Sequence, residues 1–244
     1  MNPDFEEDLA GNLRLAEELA PLHCGACDGY HLERARKRFA ADGLQPLDQP
    51  ELTDIIERVL AKTFGKANGR TGILIAGSAD TNLLSICCTA AERAGPGNAR
   101  HIDFTVVDKC WTPLHLCETY ARRNQFHLAT RAMDLSTGEM DFEADIILAH
   151  SLLRFMPEER HKQTMESFRR CLKPGGTIVY SQRLFSQSPG RGYNKSEYAN
   201  AGDLERLFQS AQLKIKFFQQ IDSAPNAETV KRRLIYLLAP EKRP

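Results

Sequence analysis

The sequence lacks an excess of either charge: 32 Lys and Arg stand against 32 Asp and Glu in 244 residues. A balanced chain has no overall attraction to nucleic acid or to an anionic membrane surface. No apolar run approaches the roughly 20 residues that span a bilayer. The acidic opening stretch MNPDFEEDLAGNLRLAEELA has no apolar core of the kind a secretory signal needs. The seven cysteines are odd in number, follow no disulfide framework and sit mostly among apolar neighbours, Cys87 and Cys88 side by side. That usage fits reduced, buried thiols in a cytoplasmic protein. Internal repeats and low-complexity tracts are also missing. The expectation is a soluble cytoplasmic monomer or homodimer with neither nucleic acid nor membrane as partner.

What is present is an ordinary globular composition, 42% hydrophobic and 26% charged. Residues 1–69 read as helices only. The clearest covers 51–64, where Leu52, Ile55, Ile56, Val59, Leu60 and Phe64 keep helical spacing behind Pro50. From 70 onward short apolar runs alternate with amphipathic helices. Strands are expected at Thr71–Ala76, His101–Val107, Phe126–Met133, Ala144–Ala149, Thr177–Gln182, Leu213–Phe218 and Leu234–Ala239. Helices are expected at 81–94, after Thr112-Pro113, from Pro157 to about Lys173, and around Leu204–Ala211. A polar, glycine-bearing loop covers about 185–200. Such alternation means βαβ units and a mostly parallel sheet with helices on both faces. The expected organisation is an N-terminal helical cap, 1–69, on a doubly wound α/β domain, 70–244.

Ligands of such sheets bind at the carboxyl ends of the strands. Gly77, Asp108, Asp134 and His150 each lie just past an expected strand, so they are expected to converge on one cleft. A nucleoside cofactor with a polar tail needs a close backbone approach at the first strand–helix turn. Gly77, with small Ser78 and Ala79, permits it. Its ribose needs an acceptor pair, for which Asp108 is placed. Its adenine needs a polar contact beside an apolar slot, which Asp134-Leu135 can supply.

Here the chain resembles class I S-adenosylmethionine-dependent methyltransferases over about residues 70–240. The resemblance is carried by ILIAGSADTN, TVVDKC, AMDL, ADIILAHSLLRFMPEERH and RRCLKPGGTIVYSQRL. It implies a seven-stranded sheet closed by an antiparallel hairpin, for which LKIKFFQQI and RRLIYLLAP are available. It further implies that the segment Gly77–Thr81 (Gly77, Ser78, Ala79 and Thr81) meets the methionine part of S-adenosyl-L-methionine. Asp108, with Lys109 beside it, would hold the ribose, Asp134 and Leu135 the adenine, and His150 and Ser151 would line the sulfonium side. S-adenosyl-L-homocysteine is then the product. The chain departs from the family in keeping one glycine in the turn GSADT, and in the insertion AGPGNARH before the second strand. The same turn weighs against a nicotinamide dehydrogenase, whose pyrophosphate needs G-x-G-x-x-G.

Further residues are candidates for the chemistry. His31 or His150 is a candidate general base toward a hydroxyl or amine of a small molecule, imidazole titrating near neutral pH. Tyr30, Arg183 and Tyr193 are candidate substrate contacts, the last within the 185–200 loop. No Asp/Asn-Pro-Pro-Tyr/Phe follows the fourth strand, where nucleic-acid amino methyltransferases often carry it. No aspartate cluster follows that strand either, against the magnesium-dependent catechol type. His23-Cys24-x-x-Cys27-x-x-x-His31 has soft ligands for zinc, but no second close pair follows, so no metal is assigned. The basic run Arg34, Arg36, Lys37, Arg38 reads as a solvated helix face. The reading from another class is a catalytically silent methyltransferase-like scaffold, prompted by the single-glycine turn.

Overall fold

Local signals set the element boundaries. In a computed structural model that describes residues 7–27, 29–40, 49–65, 69–137, 140–184, 198, 200–222 and 232–241, the Asp8 carboxylate caps the first helix by accepting the Gly11 N–H at 2.8 Å. The chain divides into two compact units, Met1–Asp134 and Leu135–Pro244.

The first unit holds α1 (Leu9–His23), α2 (Tyr30–Ala40), α3 (Gln49–Phe64), β1 (Thr71–Ala76), α4 (Asn82–Ala94), β2 (Ile102–Asp108), α5 (Trp111–Asn124) and β3 (His127–Ala132). Its strands are parallel in the order β3-β2-β1. β1 and β2 are nearly continuous apolar runs and are buried, whereas β3, the weakest of the expected strands, is largely exposed. The apolar stripe of α3 packs on α4, burying Leu52, Ile55, Ile56 and Leu60. α1 packs on α2 and α5.

The second unit holds β4 (Ala144–His150), α6 (Glu158–Cys171), β5 (Leu172–Leu184), α7 (Ala201–Ser210), β6 (Leu213–Asp222) and β7 (Arg232–Pro240). β4 and β5 run parallel, and β7 pairs antiparallel with both β5 and β6, giving the order β4-β5-β7-β6. Phe208 of α7 is fully buried, meeting Tyr180 at 5.5 Å and Tyr236 at 5.1 Å, both edge-on. The two sets of strands make a seven-stranded mixed sheet. This is the expected Rossmann-like α/β fold with its C-terminal antiparallel hairpin.

Two strands differ clearly in extent: β6, expected to end at Phe218, continues to Asp222, and β5 starts early. The fifth strand was expected at Thr177–Gln182 after a Pro-Gly-Gly turn, but β5 already begins at Leu172. Ala144 faces Leu172 and Ile146 faces Thr177, so Lys173–Gly176 bulge opposite Asp145. Lys173 Nζ reaches Asp145 Oδ2 at 2.9 Å. A Cβ on Gly176 would sit 3.0 Å from the Asp145 carbonyl oxygen, the Lys173 carbonyl oxygen and a Leu172 methyl. The glycine is therefore required by close approach. Most of the 185–200 loop, Tyr193 included, lies outside the described residues. Among those residues no helix is long and apolar enough to cross a membrane.

Candidate cofactor site and cysteine cluster

The carboxyl ends of β1, β2 and β3 carry Gly77, Asp108 and Asp134, as the strand pattern predicts. Gly77 leaves β1 with φ of 74° and donates its N–H to the Val107 carbonyl at 2.8 Å. That left-handed conformation is the reason a glycine stands there. Met133 N–H donates to the Asp108 carbonyl at 2.9 Å, so the exits of β2 and β3 are also tied together.

The turn after Gly77 is held from below. Ser78, Asp80 and Thr81 are buried, while Gly77 and Ala79 are partly exposed. Ser78 Oγ donates to the Asp80 carbonyl at 2.6 Å. Asp80 Oδ1 accepts the Asn82 N–H at 2.8 Å at the start of α4, and Arg34 Nε reaches Asp80 Oδ2 at 2.9 Å. Arg38 lies 3.5 Å from the same oxygen and forms two hydrogen bonds to Glu7, at 2.8 and 2.6 Å. Thr81 Oγ1 bonds to Glu7 and accepts from Asn12 Nδ2 at 3.0 Å. Burial alone would raise the Asp80 pKa, but the charges of Arg34 and Arg38 and the Asn82 N–H hold it below the usual carboxylate value.

Asp108 is the next feature. Its Oδ1 accepts the Cys110 N–H at 2.8 Å and faces His31 Nε2 at 3.9 Å. Its Oδ2 accepts nothing from the described residues. Burial pushes this carboxyl up to about 6, with His31 and the Cys110 N–H pulling the other way. Lys109 and Asp134 are exposed, and Leu135, at the start of the second unit, is buried.

His31 is only 4% exposed, and its Nδ1 lies 2.9 Å from the Ala79 carbonyl oxygen. A carbonyl can only accept, so Nδ1 carries the proton and Nε2 carries the lone pair of the neutral ring. Around that ring stand three thiols, Cys24, Cys27 and Cys110, all buried. The four donor atoms lie within 4.8 Å of one another. Cys24 Sγ is 3.1 Å from Thr112 Oγ1, and the turn after α1 folds back with Cys27 N–H on the Cys24 carbonyl at 3.2 Å. Cys27 is the thiol held low, chiefly by hydrogen bonding from Cys110 and against the effect of burial. Burial opposes charge on His31, but Cys27, Asp108 and the Ala79 carbonyl together move its pKa up. Tyr30 packs edge-on to His31, ring centroids 5.4 Å apart.

In the second unit, His150 ends β4 and is partly exposed. Ser151 follows with φ of 51°, is buried, and donates its N–H to the Ser181 carbonyl at 2.6 Å. A non-glycine residue in that region marks a tightly determined turn at the strand end. Arg183 of β5 is partly buried, its N–H 3.4 Å from Ser151 Oγ.

Sequence reasoning missed two groups. Arg34 and Arg38 face Asp80, while only Arg36 and Lys37 of that run are well exposed. The i, i+4 spacing of Arg34 and Arg38 was the available signal. Cys110 joins the Cys24–His31 segment from the far side of β2, and nothing local in the sequence announces it.

Residues 84–180 match a family described as Methyltransferase domain. No curated protein matches the sequence. Among solved structures, an S-adenosylmethionine-dependent methyltransferase from Clostridium acetobutylicum aligns with a TM-score of 0.60 at 14% identity, covering 87% of this chain and 99% of that one. An O-methyltransferase family protein from Burkholderia thailandensis aligns with a TM-score of 0.57 at 14% identity, over 86% of this chain and 61% of its own. The N-methyltransferase NodS from Bradyrhizobium japonicum aligns with a TM-score of 0.53 at 15% identity, over 80% and 100%. The solved structures establish the fold, and the family match gives the class of chemistry. Residues 84–180 are thus similar to a methyltransferase domain, and the chain shares the Rossmann-like fold of S-adenosylmethionine-dependent methyltransferases of known structure. The match over 84–180 supports an enzyme that transfers methyl groups, with S-adenosylmethionine as its cofactor.

Proposed function

We propose that this enzyme transfers the methyl group to an oxygen or nitrogen nucleophile of a small molecule, in the cytoplasm, as a monomer or homodimer. The observation that carries the reading is Asp108. It is a carboxylate at the end of β2, fixed by the Cys110 N–H and with one oxygen that accepts no hydrogen bond from the described residues, next to a glycine turn at the end of β1. A ribose needs such an acceptor pair, so the site fits the cofactor on this point. Gly77 and Ala79, the partly exposed residues of the turn, offer backbone to the methionine part. Ser78 and Thr81 act beneath them, holding the turn's shape through their hydroxyls. Lys109 and Asp134 are exposed beside the strand ends and take the ribose edge and the adenine. For Leu135, His150 and Ser151 the reading rests on the family resemblance alone.

The bound cofactor supplies an already activated methyl group, so positioning of the nucleophile accounts for most of the rate. His150 takes the proton from the attacking hydroxyl or amine. His31 is not assigned that task, because its ring is buried and its Nδ1 is committed to Ala79. Tyr30 and Arg183 contact the substrate, and so does Tyr193 from the 185–200 loop. The helical segment 1–69 acts as a cap, a reading supported by the bonds from Glu7, Asn12, Arg34 and Arg38 to the turn at residues 80–81. The balanced charge favours a small acceptor over nucleic acid. The test is release of S-adenosylhomocysteine with panels of small phenols, alcohols and amines. Turnover is expected with at least one class, and His150→Ala should lower it by about 10²–10⁴-fold. Absence of turnover with every class, in protein that binds the cofactor, would contradict the proposal.

A further inference from the structure

We propose that Cys24, Cys27, His31 and Cys110 bind one zinc ion. The four donors come from three separate places: the turn after α1, the first residues of α2, and the connection between β2 and α5. Their ligand atoms lie within 4.8 Å of one another, and all four residues are buried. A tetrahedral site with Zn–S bonds of about 2.3 Å sets its sulfurs about 3.8 Å apart, so small side-chain adjustments close the cage. Three thiolates and one imidazole is a donor set that structural zinc sites use.

The surroundings support each ligand. The Nδ1–H bond to the Ala79 carbonyl fixes the tautomer that leaves the Nε2 lone pair for a metal, as metal-bound histidines require. The Thr112 hydroxyl, 3.1 Å from Cys24 Sγ, can donate to a thiolate there. Zinc binding converts the thiols to thiolates and releases their protons to solvent, with no change of oxidation state. The remaining cysteines, Cys87, Cys88, Cys117 and Cys171, lie outside this group of donors. Cys87, Cys88 and Cys117 are fully buried, and burial pushes their thiols well up, as expected for small apolar core residues.

A metal here ties the α1–α2 segment to the exit of β2, two residues beyond Asp108. It would therefore fix the cap segment and the ribose-binding carboxylate with one cross-link. The proposal stands independently of the substrate chemistry above.

The test uses the full chain, purified under reducing conditions without added metal. Elemental analysis should give one zinc per chain. After chelation, Co²⁺ should bind one to one and produce the d–d bands of a tetrahedral site, with charge-transfer intensity for three thiolates. Cys110→Ser should lose one third of that intensity and weaken Co²⁺ binding by more than the roughly 10–100-fold that loss of a supporting hydrogen bond costs. His31→Cys should keep the tetrahedral spectrum and gain intensity for a fourth thiolate. Cys88→Ser should change nothing. Should Cys110→Ser fail to fold, the thiolate count in the unaltered protein still decides the matter. Reduced protein that holds neither zinc nor Co²⁺, or a disulfide among these cysteines without metal uptake on reduction, would overturn the proposal.

Discussion

Asp80 shows how much a single buried carboxylate can organise. It receives two arginines and the first N–H of α4 in a setting that leaves its side chain 6% exposed. Removing one member of a buried pair leaves the partners' charge desolvated, which costs about 3–5 kcal/mol. Asp80→Asn should therefore lower the urea midpoint strongly at pH 7. Its folded pKa lies below the unfolded value of about 3.9, so its contribution is complete above that pH and is lost as pH falls through the folded value. The gap between wild type and Asp80→Asn should accordingly be full at pH 7 and shrink below about pH 4. A gap independent of pH would mean that the carboxylate charge is not what holds the turn. Neither this pair nor Cys110 was legible beforehand. Both depend on side chains distant in sequence meeting at the end of a strand, and a helix face with four basic residues looks solvated until its partner is known.

At the level of elements the sequence was more readable, because burial on both faces leaves continuous apolar runs and burial on one face leaves helical periodicity. β1, β2, β4, α3 and α6 appear within a residue or two of their expected bounds. The start of β5 was not foreseen, since Pro-Gly-Gly reads as a turn by composition and becomes a strand bulge only through pairing with Asp145. Gly176→Ala should destabilise by about 1–3 kcal/mol, because two of the three atoms that its Cβ would meet are backbone carbonyl oxygens and cannot swing aside. A melting temperature equal to that of the unaltered protein would show that the bulge relaxes freely. In α7, Phe208→Ala empties the space between Tyr180 and Tyr236 and should cost about 3–5 kcal/mol. Chemical denaturation monitored by far-UV circular dichroism measures it, and a cost below about 1 kcal/mol would mean the surrounding rings collapse into the gap.

For the whole molecule, the alternation of strands and helices was enough to read the fold from sequence, while the cofactor class came from the resemblance carried by stretches such as ILIAGSADTN, TVVDKC and RRCLKPGGTIVYSQRL. The acceptor molecule was not readable. It depends on side chains from the loops, and a fold shared by many chemistries does not specify them. Cofactor binding should also raise stability by about 2.7 kcal/mol at 100 times Kd, visible as a rise in melting temperature. The central claim is that Asp108 anchors S-adenosylmethionine at the end of β2, and calorimetric titration of the full chain and of Asp108→Ala tests it most directly. The account predicts micromolar binding of S-adenosylmethionine and S-adenosylhomocysteine, about −8 kcal/mol, lost in the variant. No heat with either ligand in a folded protein, or unchanged affinity in Asp108→Ala, would contradict it.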